Sequence, residues 1–152
     1  MNLQMEINSL KQRIAELENQ AKEEREFPQV EDDYWYVNGD AEVMLAVWYG
    51  DDYDKGRVSI DNVFKTKGQV EFAAEKLKVE AELRKFSRPF KHGAKNHTIN
   101  YNHETEMVVN VNATATYQET GSFYFDSYEE VVEAIESVGE HLIKKYIFGV
   151  ED

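Results

Sequence analysis

Leu3, Ile7, Leu10, Ile14, Leu17 and Ala21 recur at alternating spacings of four and three, the a/d seam of a heptad repeat. With Ile7, Ile14 and Ala21 at a and Leu3, Leu10 and Leu17 at d, Glu6 and Arg13 fall at g, and Lys11 and Glu18 at e. In a parallel pair each g residue meets the e residue of the next heptad on the partner. Glu6 then meets Lys11 and Arg13 meets Glu18, both attractive. A helix this short is marginal alone in water. The seam therefore predicts a homo-oligomer held through these residues, with a parallel dimer favoured. The helix is expected to run, fraying, to Glu26, so residues 1–26 form a coiled-coil oligomerisation segment. Pro28 cannot continue it, and 27–33 reads as a linker.

Behind the linker, 34–152 reads as one α+β domain. Tyr34–Val37 is a strand by composition, and Asn38-Gly39 signals a hairpin because both residues tolerate positive φ. Glu42 to Tyr49 is the return strand, with Val43, Leu45, Val47 and Tyr49 on one face. Gly50 to Gly56 reads as a polar loop, and Val58-Ser59-Ile60 as a further short strand. Thr66 is a candidate N-cap for a helix reaching Phe86. The second half repeats this grammar. Thr98–Tyr101 and Met107–Tyr117 are strands, the latter with Met107, Val109, Val111, Ala113, Ala115 and Tyr117 inward and Asn110, Asn112, Thr114 and Thr116 outward. Ser122–Phe125 is another strand. Ser127 with Glu130 makes a capping box for a closing helix whose stripe includes Val131, Ala134, Ile135, Val138, Leu142 and Ile143.

Phe64, Thr66 and Val70 align with Phe125, Ser127 and Val131. The expected fold is thus α+β: an N-terminal coiled-coil helix followed by a (βββα)x2 domain, with pseudo-repeats 34–86 and 97–148. One such unit buries little alone, so the two are expected to share one antiparallel sheet with both helices on one face.

No catalytic signature is visible. Cysteine is absent, which removes disulfides, thiolate nucleophiles and cysteine-zinc sites. His97, His103, Glu104 and Glu106 match no zinc spacing, the glycines are scattered singly, and no serine sits in a nucleophile elbow. The expectation is a chain that is not an enzyme and takes no metal or cofactor. No apolar run is long enough to span a bilayer, so no membrane role is expected.

The net charge of −13 disfavours direct contact with nucleic-acid phosphates. It is unevenly distributed, and two patches stand out. The first is acidic and aromatic: Glu31, Asp32, Asp33, Tyr34, Trp35, Tyr36, Asp40, Glu42, Trp48, Tyr49, Asp51, Asp52, Tyr53 and Asp54. Tyrosine and tryptophan anchor interfaces, and surrounding charge steers a partner with a basic surface. The competing reading is that these aromatics fill the core side of the hairpin, as alternation requires of about half of them. The second patch is a basic stretch with interleaved aromatics, in which Arg84, Lys85, Arg88, Lys91, His92 and Lys95 could hold a nucleotide or phosphate. It can equally relieve self-repulsion in an acidic chain.

The runs Asp61–Thr66 and Val70–Phe86, the ending Ile143–Val150 and the heptad leader resemble small accessory proteins of phages and prophages of Gram-positive bacteria. That resemblance implies a setting, the cytoplasm of a bacterial host, and no activity that transfers by residue. Small acidic phage proteins of this class are often inhibitors of host defence, anti-CRISPR proteins among them, or of host nucleic-acid enzymes. The leading expectation is an oligomeric inhibitor of a host nucleic-acid-binding or defence protein, working by imitation of nucleic acid. The alternatives are sequestration of a nucleotide signal by the basic loop, and a purely architectural role for the zipper.

Overall fold

The computed structural model describes residues 2–151; the side chains of 22–24 and 110–113 lie outside the described set. The chain is α+β, with helices α1 (Leu3–Glu24), α2 (Asp52–Ser59), α3 (Lys67–Phe86), α4 (Tyr128–Val138) and α5 (Glu140–Tyr146). Strands β1 (Asp33–Val37) and β2 (Val43–Val47) form one antiparallel sheet. Strands β3 (Asn96–Asn102), β4 (Met107–Thr114) and β5 (Tyr124–Phe125) form a second, in the order β4-β3-β5.

The leader is helical, as its periodicity predicts. Asn2 caps α1 by accepting from the Gln4 N–H at 2.8 Å. Every side chain from Asn2 to Ala21 is exposed, the seam residues Leu3, Ile7, Leu10, Ile14 and Leu17 included. The expected linker is not free chain. Glu31 donates to the Trp48 carbonyl at 2.8 Å, and the Asp32 carboxylate accepts from the Gln29 N–H at 2.9 Å while pairing with Arg25. These bonds fold 29–32 onto the end of the first sheet.

Asn38-Gly39 does not make a two-residue turn. Val37 pairs with Val43, leaving 38–42 as the connection. The Asn38 side chain closes it by accepting from the Asp40 and Glu42 N–H groups at 3.0 and 2.9 Å, and Ala41, not Asn38 or Gly39, takes the positive φ of 61°. An asparagine side chain that imitates a peptide acceptor favours this longer loop over the tight turn.

A larger departure lies at 50–60. The expected polar loop and short strand are helix α2. Asp51 and Asp54 form a reciprocal capping box, each side chain bonded to the other's backbone N–H. By contrast Thr66 behaves as read, capping α3 with Gln69 in a reciprocal box.

One shared sheet is not formed. Instead, α3 serves as a common spine. Its first half places Val70 and Ala74 against Val37, Trp35, Val43 and Phe64. Its second half places Val79 and Leu83 against Ile99, Val108, Phe125, Val131, Ala134 and Ile143. Burying side chains of this size stabilises by roughly 1.5–3 kcal/mol each, so the second cluster carries most of the core. The pairing order is nonetheless alike in the two halves. Trp35 of β1 bridges Phe64 on the edge away from β2, just as His97 of β3 bridges Phe125 on the edge away from β4.

In β4 the buried residue is Val108, which was not assigned inward, whereas Val109, expected inward, is half-buried and Met107 is exposed; Tyr117, beyond the end of the strand, is exposed as well. Val111 and Ala113, expected inward, and Asn110 and Asn112, expected outward, lie outside the described side chains. The closing helix is broken at Gly139, whose φ of 102° suits glycine alone. Glu130 reaches back to the Asp126 N–H at 3.0 Å, one residue before the capping Ser127. Leu142, placed in the buried stripe, is partly exposed because the break turns α5.

Candidate partner-binding surface

The acidic patch divides when folded. Tyr34 is 0% exposed and Asp54 2% exposed, so neither faces a partner, contrary to the sequence expectation. They belong to a polar network that clamps α2 onto β1. The Tyr34 hydroxyl donates to Asp54 Oδ1 at 2.5 Å and accepts from Arg57 Nη1 at 2.6 Å. Asp54 Oδ2 accepts from the Tyr49 N–H at 2.8 Å and the Asp51 N–H at 3.3 Å. The Arg57 guanidinium lies 3.7 Å above the Tyr36 ring, a cation–π contact. Trp48 is half-buried, its ring 6.0 Å from that of Tyr34 in an edge arrangement. Trp35 is half-buried against α3, with Lys67 Nζ 5.9 Å from its ring.

This clamp shapes the electrostatics. Burial opposes ionisation of Asp54, but the bonds from Tyr34, Tyr49, Asp51 and Gly50 outweigh it and hold the carboxyl below the usual range. Burial first, and the Asp54 bond second, push the Tyr34 hydroxyl up. Arg57 is thereby committed internally, between Tyr34 and Tyr36. Asp32 is held down chiefly by the Gln29 N–H and secondarily by Arg25.

What remains outward is Asp33, Asp40, Glu42, Asp51, Asp52 and Tyr53, all exposed. Tyr53 is 75% exposed and Tyr49 66%, so the clamp presents two tyrosines among carboxylates. Arg57, on which this arrangement depends, is missed by the sequence reading. The available signal was the Asp51–Asp54 capping-box spacing, followed three residues later by Arg57 on the same helical face.

The basic loop separates likewise. Arg88, expected as a ligand-binding group, is engaged within the loop itself. Its guanidinium bonds Asp126, the Pro89 carbonyl at 2.9 Å, Asn96 Oδ1 at 2.7 Å and the Lys95 carbonyl at 3.0 Å. Asn96, 1% exposed, donates to the carbonyls of Lys91, Ala94 and Thr114. Together they knit 88–96 into a self-contained loop. Arg84 and Lys85 pair with Glu80 and Glu82 along α3, while Lys91, His92 and Lys95 are exposed around the loop. The six cations therefore do not converge on one point.

Among the described residues no helix is long and apolar enough to cross a membrane. Comparison with family models, curated proteins and solved structures finds no match to this chain.

Proposed function

We propose that this chain is an oligomeric, acidic binding protein that covers a basic surface on a host nucleic-acid-binding or defence protein. The observation that carries the reading is the exposed group of Asp33, Asp40, Glu42, Asp51, Asp52, Tyr49 and Tyr53 around one small sheet. Carboxylates held on a rigid frame attract a basic partner at long range, and exposed tyrosines supply short-range anchors. The seam of α1 would then bring copies together as a parallel dimer, doubling the surface. The resemblance to phage accessory proteins supports a bacterial cytoplasm as the setting, and the α3-centred pairing order supports descent of the body from two like units. Sequestration of a nucleotide by the basic loop is the less favoured reading, since Arg88 is engaged with Asp126 and Asn96.

The test is capture from bacterial lysate on immobilised protein at low and moderate salt, followed by elution with DNA. Proteins retained at low salt, released by DNA, and lost with the D33N/D40N/E42Q/D52N variant are expected. Retention of nothing that DNA displaces would end the proposal.

A further inference from the structure

We propose that the free edge of β2 binds an extended, lysine- or arginine-flanked segment of the partner by strand addition; this rests on the acidic-surface reading above and names its mode. The ladder itself shows which groups are available. Trp35 exchanges both backbone bonds with Phe64, each 2.9 Å, and both backbone groups of Val37 bond the Asn62 side chain. In β1 these residues therefore face away from β2. Their partners Leu45 and Val43, and likewise Val47 opposite Asp33, must turn their own N–H and C=O groups outward. Met44 and Ala46 alone in β2 face inward to β1. The far edge of β1 is closed by Asn62 and Phe64, whereas no described residue pairs the outer edge of β2.

This edge lacks the usual protection. Val43-Met44-Leu45-Ala46-Val47 carries no charge, proline or bulge, the devices that blunt an exposed edge. Leu45 is 54% exposed and Val47 36%, on the face shared with Asp33. Beside the edge lies a groove of about 780 Å³ between the hairpin, α3 and α5, lined by Val43, Phe72, Tyr146, Glu42, Glu71 and Glu75. Lys78 and Lys145 also border it, the first bonded to Glu75 at 3.0 Å and the second lying over the Tyr146 ring.

Charge selects the occupant. Asp40 and Glu42 flank one end of the strand, and Asp51 and Asp52 the other. A second copy paired antiparallel about Leu45 would bring Asp40 and Glu42 toward Asp51 and Asp52 of its mate, like charges that destabilise a pair. An extended segment with apolar residues between cations meets carboxylates at both ends, bonds Val43, Leu45 and Val47 through its backbone, and lays its side chains on Leu45 and Phe72.

The probe is a short labelled peptide alternating valine with lysine, titrated into the full-length protein with backbone amides followed by NMR. The amides of Val43, Leu45 and Val47 are expected to shift more than those of Met44 and Ala46. Leu45→Pro removes an outward N–H without touching the β1 ladder, and is expected to weaken binding at least about tenfold. Leu45→Lys, which leaves the backbone intact, is expected to do the same by repulsion. A peptide alternating valine with glutamate is expected not to bind. Unchanged affinity in both variants, with shifts scattered over the carboxylates, would overturn strand addition while leaving the acidic surface standing. Absence of any peptide binding would also overturn it, leaving the acidic surface to the lysate experiment. Concentration-dependent self-association abolished by Leu45→Pro would overturn it in favour of a second copy.

Discussion

The Tyr34 hydroxyl and the Asp54 carboxylate meet at 2.5 Å, across twenty residues of chain, in a site closed to solvent. This bond, with Arg57 behind it, fixes the acidic helix α2 on the first sheet. Removing a hydroxyl from such a network leaves buried partners unsatisfied. Tyr34→Phe is expected to lower unfolding free energy by about 1–2 kcal/mol. Asp54→Ala strands Arg57 and is expected to cost about 3 kcal/mol or more. Urea denaturation of both variants checks this; wild-type stability in Asp54→Ala would remove the clamp from the account.

The same pair sets a pH window. Asp54 titrates below its ordinary 3.8 when folded, so in acid the unfolded chain binds more protons. Its contribution is complete above 3.8 and lost as pH falls through the lower folded value. Tyr34 is the mirror case: raised above 10.0 by burial, it contributes fully below 10.0 and loses that contribution as pH rises through the folded value. Denaturation midpoints measured across pH should fall at both extremes, and Asp54→Asn should flatten the acid limb. An unchanged acid limb in that variant would contradict the assignment.

The α1 seam bears on stoichiometry. Ile7→Asp with Ile14→Asp is expected to convert an oligomer into a monomer whose body still melts cooperatively, because no seam residue is packed into that body. Sedimentation velocity on wild type and variant decides it. A wild type already monomeric at micromolar concentration would remove the oligomer from the proposal.

Asn96 holds the basic loop from within. Asn96→Ala leaves the Lys91 N–H and the Lys91, Ala94 and Thr114 carbonyls without that partner. A loss of about 3 kcal/mol is expected in the absence of any ligand. Lys91→Ala and Lys95→Ala, exposed on the same loop, are expected to change stability by less than about 0.5 kcal/mol. Thermal melts of these three variants separate a structural loop from a ligand site.

The cap at Thr66 gives a calibrated local test. Thr66→Ala removes the acceptor for the Gln69 N–H at 3.2 Å and is expected to cost about 1 kcal/mol. Because α3 packs on both sheets, the loss should appear in the single unfolding transition of the body, not as a local fraying signal.

Features written in short-range chemistry were legible in the chain itself. The heptad spacing announced α1, Thr66 and Ser127 marked the starts of α3 and α4, and Val131, Ala134 and Ile143 were recognisable as core. Each depends on neighbours within a turn or two, so the backbone geometry follows from the residues present. Helix α2 was also written locally, in Asp51 and Asp54, but its only buried residue is a carboxylate, so no apolar stripe revealed it. What required the tertiary structure was the sorting of like residues. Tyr34 and Tyr53 are the same side chain, yet one is closed in the core and the other open to solvent. Asp54 and Asp52 differ as sharply, and Arg88 is bound inward while Lys91 is free to face out. Period alone cannot make those choices, because burial of a polar group depends on whether a distant part of the chain returns with the matching donor or acceptor. The division into two sheets was decided the same way, by the reach of α3 across both.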